Sequence, residues 1–432
     1  MNATTRLPGG AGVEERKDSA SFVVVNCGQL VTVAGAAGPR SGAALRELAI
    51  KTDAAFVVAD GRIEEVGSYK ELKPSLPAGI EVIDAGGRAV LPGFVDAHTH
   101  LVFGGNRVTE FEERVAGKSY QEIAAAGGGI ASTLMHTRGA SEDELRDAAS
   151  LYVEWFLRGG TTTIEAKSGY GQSLESELKL LRVLRELKES TPLRIVPTVL
   201  AAHVVPSEFK ENRSGYVSLV IDELLPAVKE QGLAKYCDVF CDDHAFTVDE
   251  ARVILEAAKR NGLRLRMHVE QFRADGGAKL AADLGAKTAD HLEFTERAGI
   301  DALRKAGVQP VLVPASVFAL GRSKYPNARG MIDAGLAPVL ATDFNPGSSP
   351  TTSMAFVISL AALYMKMQPS EAIVAATINA AASLDMAHEI GSLEKGKRAD
   401  FVIHEFRDYR EIAYFIAIPA RPQVYAAGRR VA

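Results

Sequence analysis

The segment Asp-Ala-His-Thr-His at 96–100 sets His98 and His100 two residues apart. On an extended strand both imidazoles leave the same face and can share one ion. A lone pair of this kind is a weak signal. It gains weight from His268, His291 and Asp343, each of which closes an apolar β-type run further along the chain. Imidazoles with a carboxylate suit one divalent or trivalent metal ion, zinc or iron, with zinc slightly favoured. The expected ligands are His98, His100, His268 and Asp343. Such a set leaves coordination room for water, whose pKa the ion lowers from about 15.7 toward about 7, which is the chemistry of hydrolysis or hydrolytic deamination. His291, in Ala-Asp-His-Leu-Glu at 289–293, is expected as general acid/base or oxyanion stabiliser. Asp343 is also a candidate to accept the proton of attacking water and pass it to a leaving nitrogen. Cys237, Cys241 and His244 imitate a second ion cluster, but cysteines on a strand are expected to pack.

Residues so far apart in sequence need a scaffold that gathers strand ends. Apolar β-type runs at 89–95, 161–165, 194–200, 239–241, 263–268, 287–291, 308–313 and 338–342 read as eight strands. Stretches with helical periodicity lie between them at 141–157, 174–189, 247–259 and 270–284. The alternation predicts an α/β chain with a (β/α)8 TIM-like barrel, whose chemistry sits at the C-terminal ends of its strands. Short β-rich pieces at 22–25, 55–67 and 81–84 precede it, with Asp60-Gly61 as a hairpin turn, and similar pieces follow at 396–404 and 422–431. The expected division is a loose tail over 1–20, a small composite β-sandwich domain from 21–90 and 391–432, and the barrel over 91–390.

With 47% hydrophobic and 24% charged residues and a net charge of −5, nothing in the chain favours nucleic acid or an anionic membrane, so a small-molecule substrate is expected. The three cysteines imply no disulfide framework, and no apolar run approaches the roughly 20 residues needed to span a bilayer. A cytoplasmic location is the expectation.

Leu-Pro-Gly-Phe-Val-Asp-Ala-His-Thr-His at 91–100 resembles the opening motif of the amidohydrolase superfamily, and Gly-Ser-Leu-Glu-Lys-Gly-Lys-Arg-Ala-Asp at 391–400 its closing one. More narrowly, His-Thr-His-Leu-Val-Phe-Gly-Gly-Asn-Arg at 98–107, Glu-Ala-Lys-Ser-Gly-Tyr-Gly at 165–171, His-Val-Glu-Gln at 268–271 and Thr-Asp-Phe-Asn-Pro-Gly-Ser at 342–348 resemble the imidazolonepropionases. The resemblance runs from roughly residue 22 to the end. It implies hydrolysis of 4-imidazolone-5-propanoate to N-formimidoyl-L-glutamate in histidine degradation, and a substrate pocket lined by Arg107, Tyr170, His203, Gln271, Asn345, Gly347 and Ser348. Relatives of this kind are often homodimers.

Each of these positions also has a physical reading. Arg107 would clamp the propanoate through two charge-assisted hydrogen bonds. Tyr170 stands between two glycines, and His203 ends the third strand, where it would hydrogen-bond the ring. Asn345 and the amides around Gly347 and Ser348 would offer N–H groups to a carboxylate; Ser348 stands where Thr is the commoner family residue. Gln271 occupies the place of the glutamate that deaminases of the superfamily use as a proton shuttle. Glutamine cannot shuttle protons, which argues against deamination and leaves base work to Asp343 and His291. Dihydroorotase-like relatives bridge two metals with a carboxylated lysine on strand 4, but Lys167 follows the second run, so one metal is expected and Lys167 becomes a charge partner in a loop. The alternatives are another mononuclear amidohydrolase or deaminase acting on a cyclic amide or nucleobase-like ring, or a non-catalytic scaffold, in which the ligands would be missing.

Overall fold

The computed structural model describes residues 21–118, 122, 127–242 and 245–432. The expected tail 1–20 and His244 lie outside them. Five strands come first: β1 (Phe22–Val31), β2 (Ile50–Ala59), β3 (Arg62–Ser68), β4 (Glu81–Asp84) and β5 (Ala89–Pro92). The Asp60-Gly61 turn joins β2 to β3 antiparallel, with both residues at positive φ (50° and 70°), the conformation a two-residue hairpin turn requires.

Eight parallel strands follow: β6 (Phe94–Thr99), β7 (Thr161–Lys167), β8 (Arg194–Ala202), β9 (Tyr236–Cys241), β10 (Arg264–Val269), β11 (Thr288–His291), β12 (Gln309–Leu312) and β13 (Val339–Leu340). They pair in chain order from β6 to β13. Two backbone bonds bring the ends of this sheet together, Asp343 N to His98 O at 3.0 Å and His100 N to Phe344 O at 2.8 Å. The barrel therefore closes at the expected ligands themselves. Its strands are buried on both faces, which is why they read as largely apolar runs, broken by single charges, rather than as alternations. Amphipathic helices such as Glu142–Arg158 and Val248–Arg260 cover it, each opened by a capping box, Ser141 with Glu144 and Thr247 with Glu250.

The chain end returns as β14 (Phe401–Ile403), β15 (Gln423–Ala426) and β16 (Arg429–Arg430). Because β14 pairs antiparallel with β5, both chain ends share one hydrogen-bonded sheet in the order β16-β15-β14-β5-β1-β2-β3, with β4 on β1. Its core centres on Phe401, stacked on Tyr425 at 4.4 Å and edge-on to Phe56 at 5.0 Å. Among the described residues no helix is long and apolar enough to cross a membrane.

Three expected elements change. The run at 89–95 is two strands in two sheets, parted at Gly93, whose N–H donates to Asp400 O at 2.9 Å. A Cβ on Gly93 would stand 2.3 Å from Thr162 Oγ1, so glycine lets β6 enter the barrel against β7. Gly93→Ala is expected to lower stability by about 1–3 kcal/mol, as overpacking does. An unchanged thermal midpoint would contradict this. The helix expected over 270–284 forms only at Gly277–Leu284, because 270–276 bends over the barrel mouth, with the Gln271 and Phe272 amides bound to Asp242 Oδ2 at 2.8 and 3.0 Å. The last barrel strand is two residues long, because Thr342 turns to bond Asp96.

Candidate metal centre and substrate pocket

The C-terminal ends of β6, β10, β11 and β13 carry the five expected centre residues, which fall into two overlapping groups that share His98. Potential ligand atoms of His98, His268 and His291 lie within 4.8 Å of one another, and so do those of His98, His100 and Asp343. Asp343 Oδ1 is 3.4 Å from Nε2 of both His98 and His100, and the His98 and His268 rings are 4.4 Å apart. Nε2 of His98 and Nε2 of His268 are buried without a hydrogen-bond partner. Buried lone pairs are costly to leave unmatched, so this donor set fits a cation. Burial pushes the Asp343 carboxyl up, but the His100 and His98 rings outweigh it and hold it well below the usual carboxylate range.

One layer deeper lies what aims these rings. His98 Nδ1 is 2.6 Å from Asp290 Oδ2, and His268 Nδ1 is 3.1 Å from Asp238 Oδ2. The hydrogen bond to Asp290 keeps the His98 proton at Nδ1 and turns its Nε2 lone pair outward, and Asp238 stands as the charge behind His268. Lys167 corrects the sequence reading: it belongs to β7, not to a loop, and is fully buried between Glu165 and Asp238, at 2.7 Å from each. Arg266, equally buried, reaches Asp290 at 3.6 Å and Glu165 at 3.8 Å. Asp96 ties β6 to the segment bearing Asp343 by accepting from Thr342 Oγ1 at 2.6 Å and Thr342 N at 3.1 Å. Burial pushes its carboxyl up to about 7.

Backbone strain gathers at the same place. Glu270, His291, Leu292 and Asp343 have φ of 55°, 81°, 69° and 55°, left-handed values that cost non-glycine residues about 1–3 kcal/mol each and concentrate at functional sites. Burial lowers the His291 pKa, but Glu293, with Oε1 3.4 Å from Nδ1, outweighs it and leaves the ring above its usual value.

Of the expected substrate residues, Tyr170 and His203 pack against the His100 ring. Arg107 donates from Nε to Thr133 Oγ1 at 2.8 Å, while its second terminal nitrogen is buried with no hydrogen-bond partner. Gly347 makes room for it: a Cβ there would stand 2.2 Å from the other terminal nitrogen. Tyr170 is buried, 5.7 Å from the His100 ring and 5.3 Å from His203. Its loop is pinned by the buried Glu177 carboxylate, which accepts from the Gly169, Gly171 and Gln172 amides at 3.0, 2.7 and 2.7 Å. His203 stacks on His100 and sets Nδ1 3.1 Å from Gly169 O, while burial and the His100 charge push it down to about 3. The neutral ring with Nδ1–H on that carbonyl has Nε2 as an acceptor. Gln271 lines a cavity of about 270 Å³ together with Glu293, Phe272, Phe294, Arg322 and Lys324.

The amides expected to meet a carboxylate are occupied within their own turn. The Gly347 and Ser348 amides are already bound, at 2.8 and 2.7 Å, to Asn345 Oδ1, and Asn345 Nδ2 donates to Ser348 Oγ at 2.9 Å. The turn closes on its own asparagine and forms a wall against Arg107 instead of presenting free N–H groups. Cys237 and Cys241 are buried on β9, and among the described residues neither joins a potential ion site.

Sequence reasoning missed Asp96, Glu165, Glu177, Asp238 and Arg266. All but Glu177 are charged residues inside buried barrel strands, and a charge within such a strand was the available signal.

The model of the amidohydrolase family matches residues 89–426. The imidazolonepropionase of Solibacter usitatus (strain Ellin6076) is 58% identical over 408 residues, covering 94% of this chain and 98% of that protein. That of Geobacillus kaustophilus (strain HTA426) is 46% identical over 407 residues, covering 93% and 96%. The solved structure of E. coli guanine deaminase superposes with a TM-score of 0.70 at 16% identity, over 96% of this chain and 99% of that one, which is a likeness of fold. Matched along nearly its whole described length, the chain belongs to the imidazolonepropionase family of amidohydrolases.

Proposed function

We propose that the chain hydrolyses the ring C–N bond of 4-imidazolone-5-propanoate to N-formimidoyl-L-glutamate, a step of histidine degradation, using one metal ion held by His98, His100, His268 and Asp343. The 58% identity with an imidazolonepropionase over 94% of the chain carries this reading, and the buried, unmatched Nε2 atoms of His98 and His268 support the metal. Three neutral imidazoles and a carboxylate accept zinc or iron, with zinc favoured; the bound ion would supply water acidified to near-neutral pKa and polarise the ring carbonyl.

The protein's own groups do the rest. Arg107 holds the propanoate, and Tyr170 and His203 lie along the ring, with His203 Nε2 taking a ring N–H. Asp343 accepts a proton from the attacking water at its carboxylate and returns it to the ring nitrogen as the C–N bond breaks, while the carbonyl carbon becomes a carboxyl group that releases the remaining water proton to solvent. His291, kept proton-rich by Glu293, stabilises the oxygen that gains charge. Gln271 hydrogen-bonds the substrate and carries no proton. The test is an ultraviolet assay on freshly prepared 4-imidazolone-5-propanoate with elemental analysis of the same preparation. Loss of substrate absorbance with about one ion per chain is expected; absence of both turnover and metal would overturn the reading.

A further inference from the structure

Lys167 is a buried ammonium that the proposed reaction does not use. Its Nζ lies 2.7 Å from Glu165 Oε1 on β7, 2.7 Å from Asp238 Oδ2 on β9 and 4.0 Å from Asp290 Oδ2 on β11, and all four side chains are fully buried. The two aspartates are those behind the His268 and His98 rings. Buried ion networks are a poor source of stability compared with apolar packing of the same volume, because desolvation offsets the attraction. Their presence directly beneath the centre points to another role.

We infer that Lys167 is a positioning residue of the metal centre: it joins Asp238 to Asp290 and so holds His268 and His98 with their Nε2 atoms turned to one point. This rests on reading the cluster as a metal site. Two effects of the ammonium oppose each other. As a charge it repels a cation, so its removal would tighten metal binding. As a clamp it keeps two carboxylates and two rings in place, so its removal would weaken binding. The carboxylates packed around Nζ offset most of its field, whereas releasing Asp238 and Asp290 from register puts at risk ring contacts that are typically worth about 10- to 100-fold in affinity. The clamp therefore wins, and the sign of the change separates the two effects.

The experiment measures the Zn²⁺ dissociation constant of the full chain by competition with a chromophoric chelator, and the visible spectrum at saturating Co²⁺. For Lys167→Met, Zn²⁺ binding is expected to weaken about 10- to 100-fold and the cobalt bands to change. The charge-balanced pair Lys167→Met with Glu165→Gln removes the same clamp without leaving an extra buried anion. It is expected to behave alike and serves if the single variant does not fold. Unchanged or tighter Zn²⁺ binding in either folded variant overturns the inference. Weaker binding with a wild-type cobalt spectrum also overturns it, since that marks general destabilisation. If the wild-type chain itself binds no Zn²⁺, the metal reading falls first and this inference with it.

Discussion

Replacing Asp343 by alanine is expected to remove bound metal and turnover together while the barrel stays folded. The carboxylate is the anionic member of the expected ligand set, its Oδ1 lies 3.4 Å from Nε2 of both His98 and His100, and the same group is assigned the proton transfer. A catalytic ion supplies several kcal/mol of transition-state stabilisation, and about 1.36 kcal/mol is a decade in rate, so the loss is on the order of 10³–10⁵-fold before the missing base is counted. The closure of the barrel does not depend on the side chain, because Asp343 N to His98 O and His100 N to Phe344 O are backbone bonds. Backbone conformation adds a smaller effect. Asp343 has φ of 55°, which asparagine tolerates better than alanine, so Asp343→Asn should lose activity with a smaller fall in thermal midpoint than Asp343→Ala. Substantial turnover in a metal-free Asp343→Ala protein would refute the mechanism.

The expected ligands were legible because a buried parallel barrel writes its strands as apolar runs, against which a terminal histidine or aspartate stands out. The expected ligands His98, His100, His268 and Asp343, and His291 beside them, were picked out in this way, and they fall into two groups that share His98. What escaped were charges inside strands. Glu165 and Lys167 share a strand face, yet Lys167 reads as a loop residue if β7 is ended two residues early, at 165. Its partners Asp238 and Asp290 come from β9 and β11, and no local periodicity reports pairing across three strands. Gly93 was hidden for a related reason: β5 and β6 are both apolar, so their run continues smoothly through the point where the chain leaves one sheet for the other. The turn at 345–348 shows a further limit. Asn-Pro-Gly-Ser announces a turn by composition. Whether its amides face a ligand or the asparagine side chain depends on one rotamer, and in the structure they face Asn345.

The proposed clamp on the substrate carboxylate then rests on Arg107. With the Gly347 and Ser348 amides engaged, the buried Arg107 nitrogen that lacks a partner is a cationic donor whose hydrogen-bonding capacity an anion would satisfy. Its Nε bond to Thr133 holds the guanidinium in place before substrate arrives, which reduces the ordering cost of binding. Arg107→Ala is expected to raise KM by about 10- to 100-fold with metal content unchanged, since a hydrogen bond to a charged group contributes about 1.5–3 kcal/mol. Arg107→Lys should recover only part of this, because an ammonium supplies the charge without the planar fork. The decisive comparison uses 4-imidazolone lacking the propanoate arm. Wild type and Arg107→Ala should turn it over alike, because the deleted contact and the deleted carboxylate belong to one interaction. An Arg107→Ala enzyme that is slowed as much on the armless ring as on the full substrate would show that the arginine acts on the ring or the loop, and the carboxylate would then need another partner, with the Arg322 and Lys324 side of the 270 Å³ cavity as the next place to look.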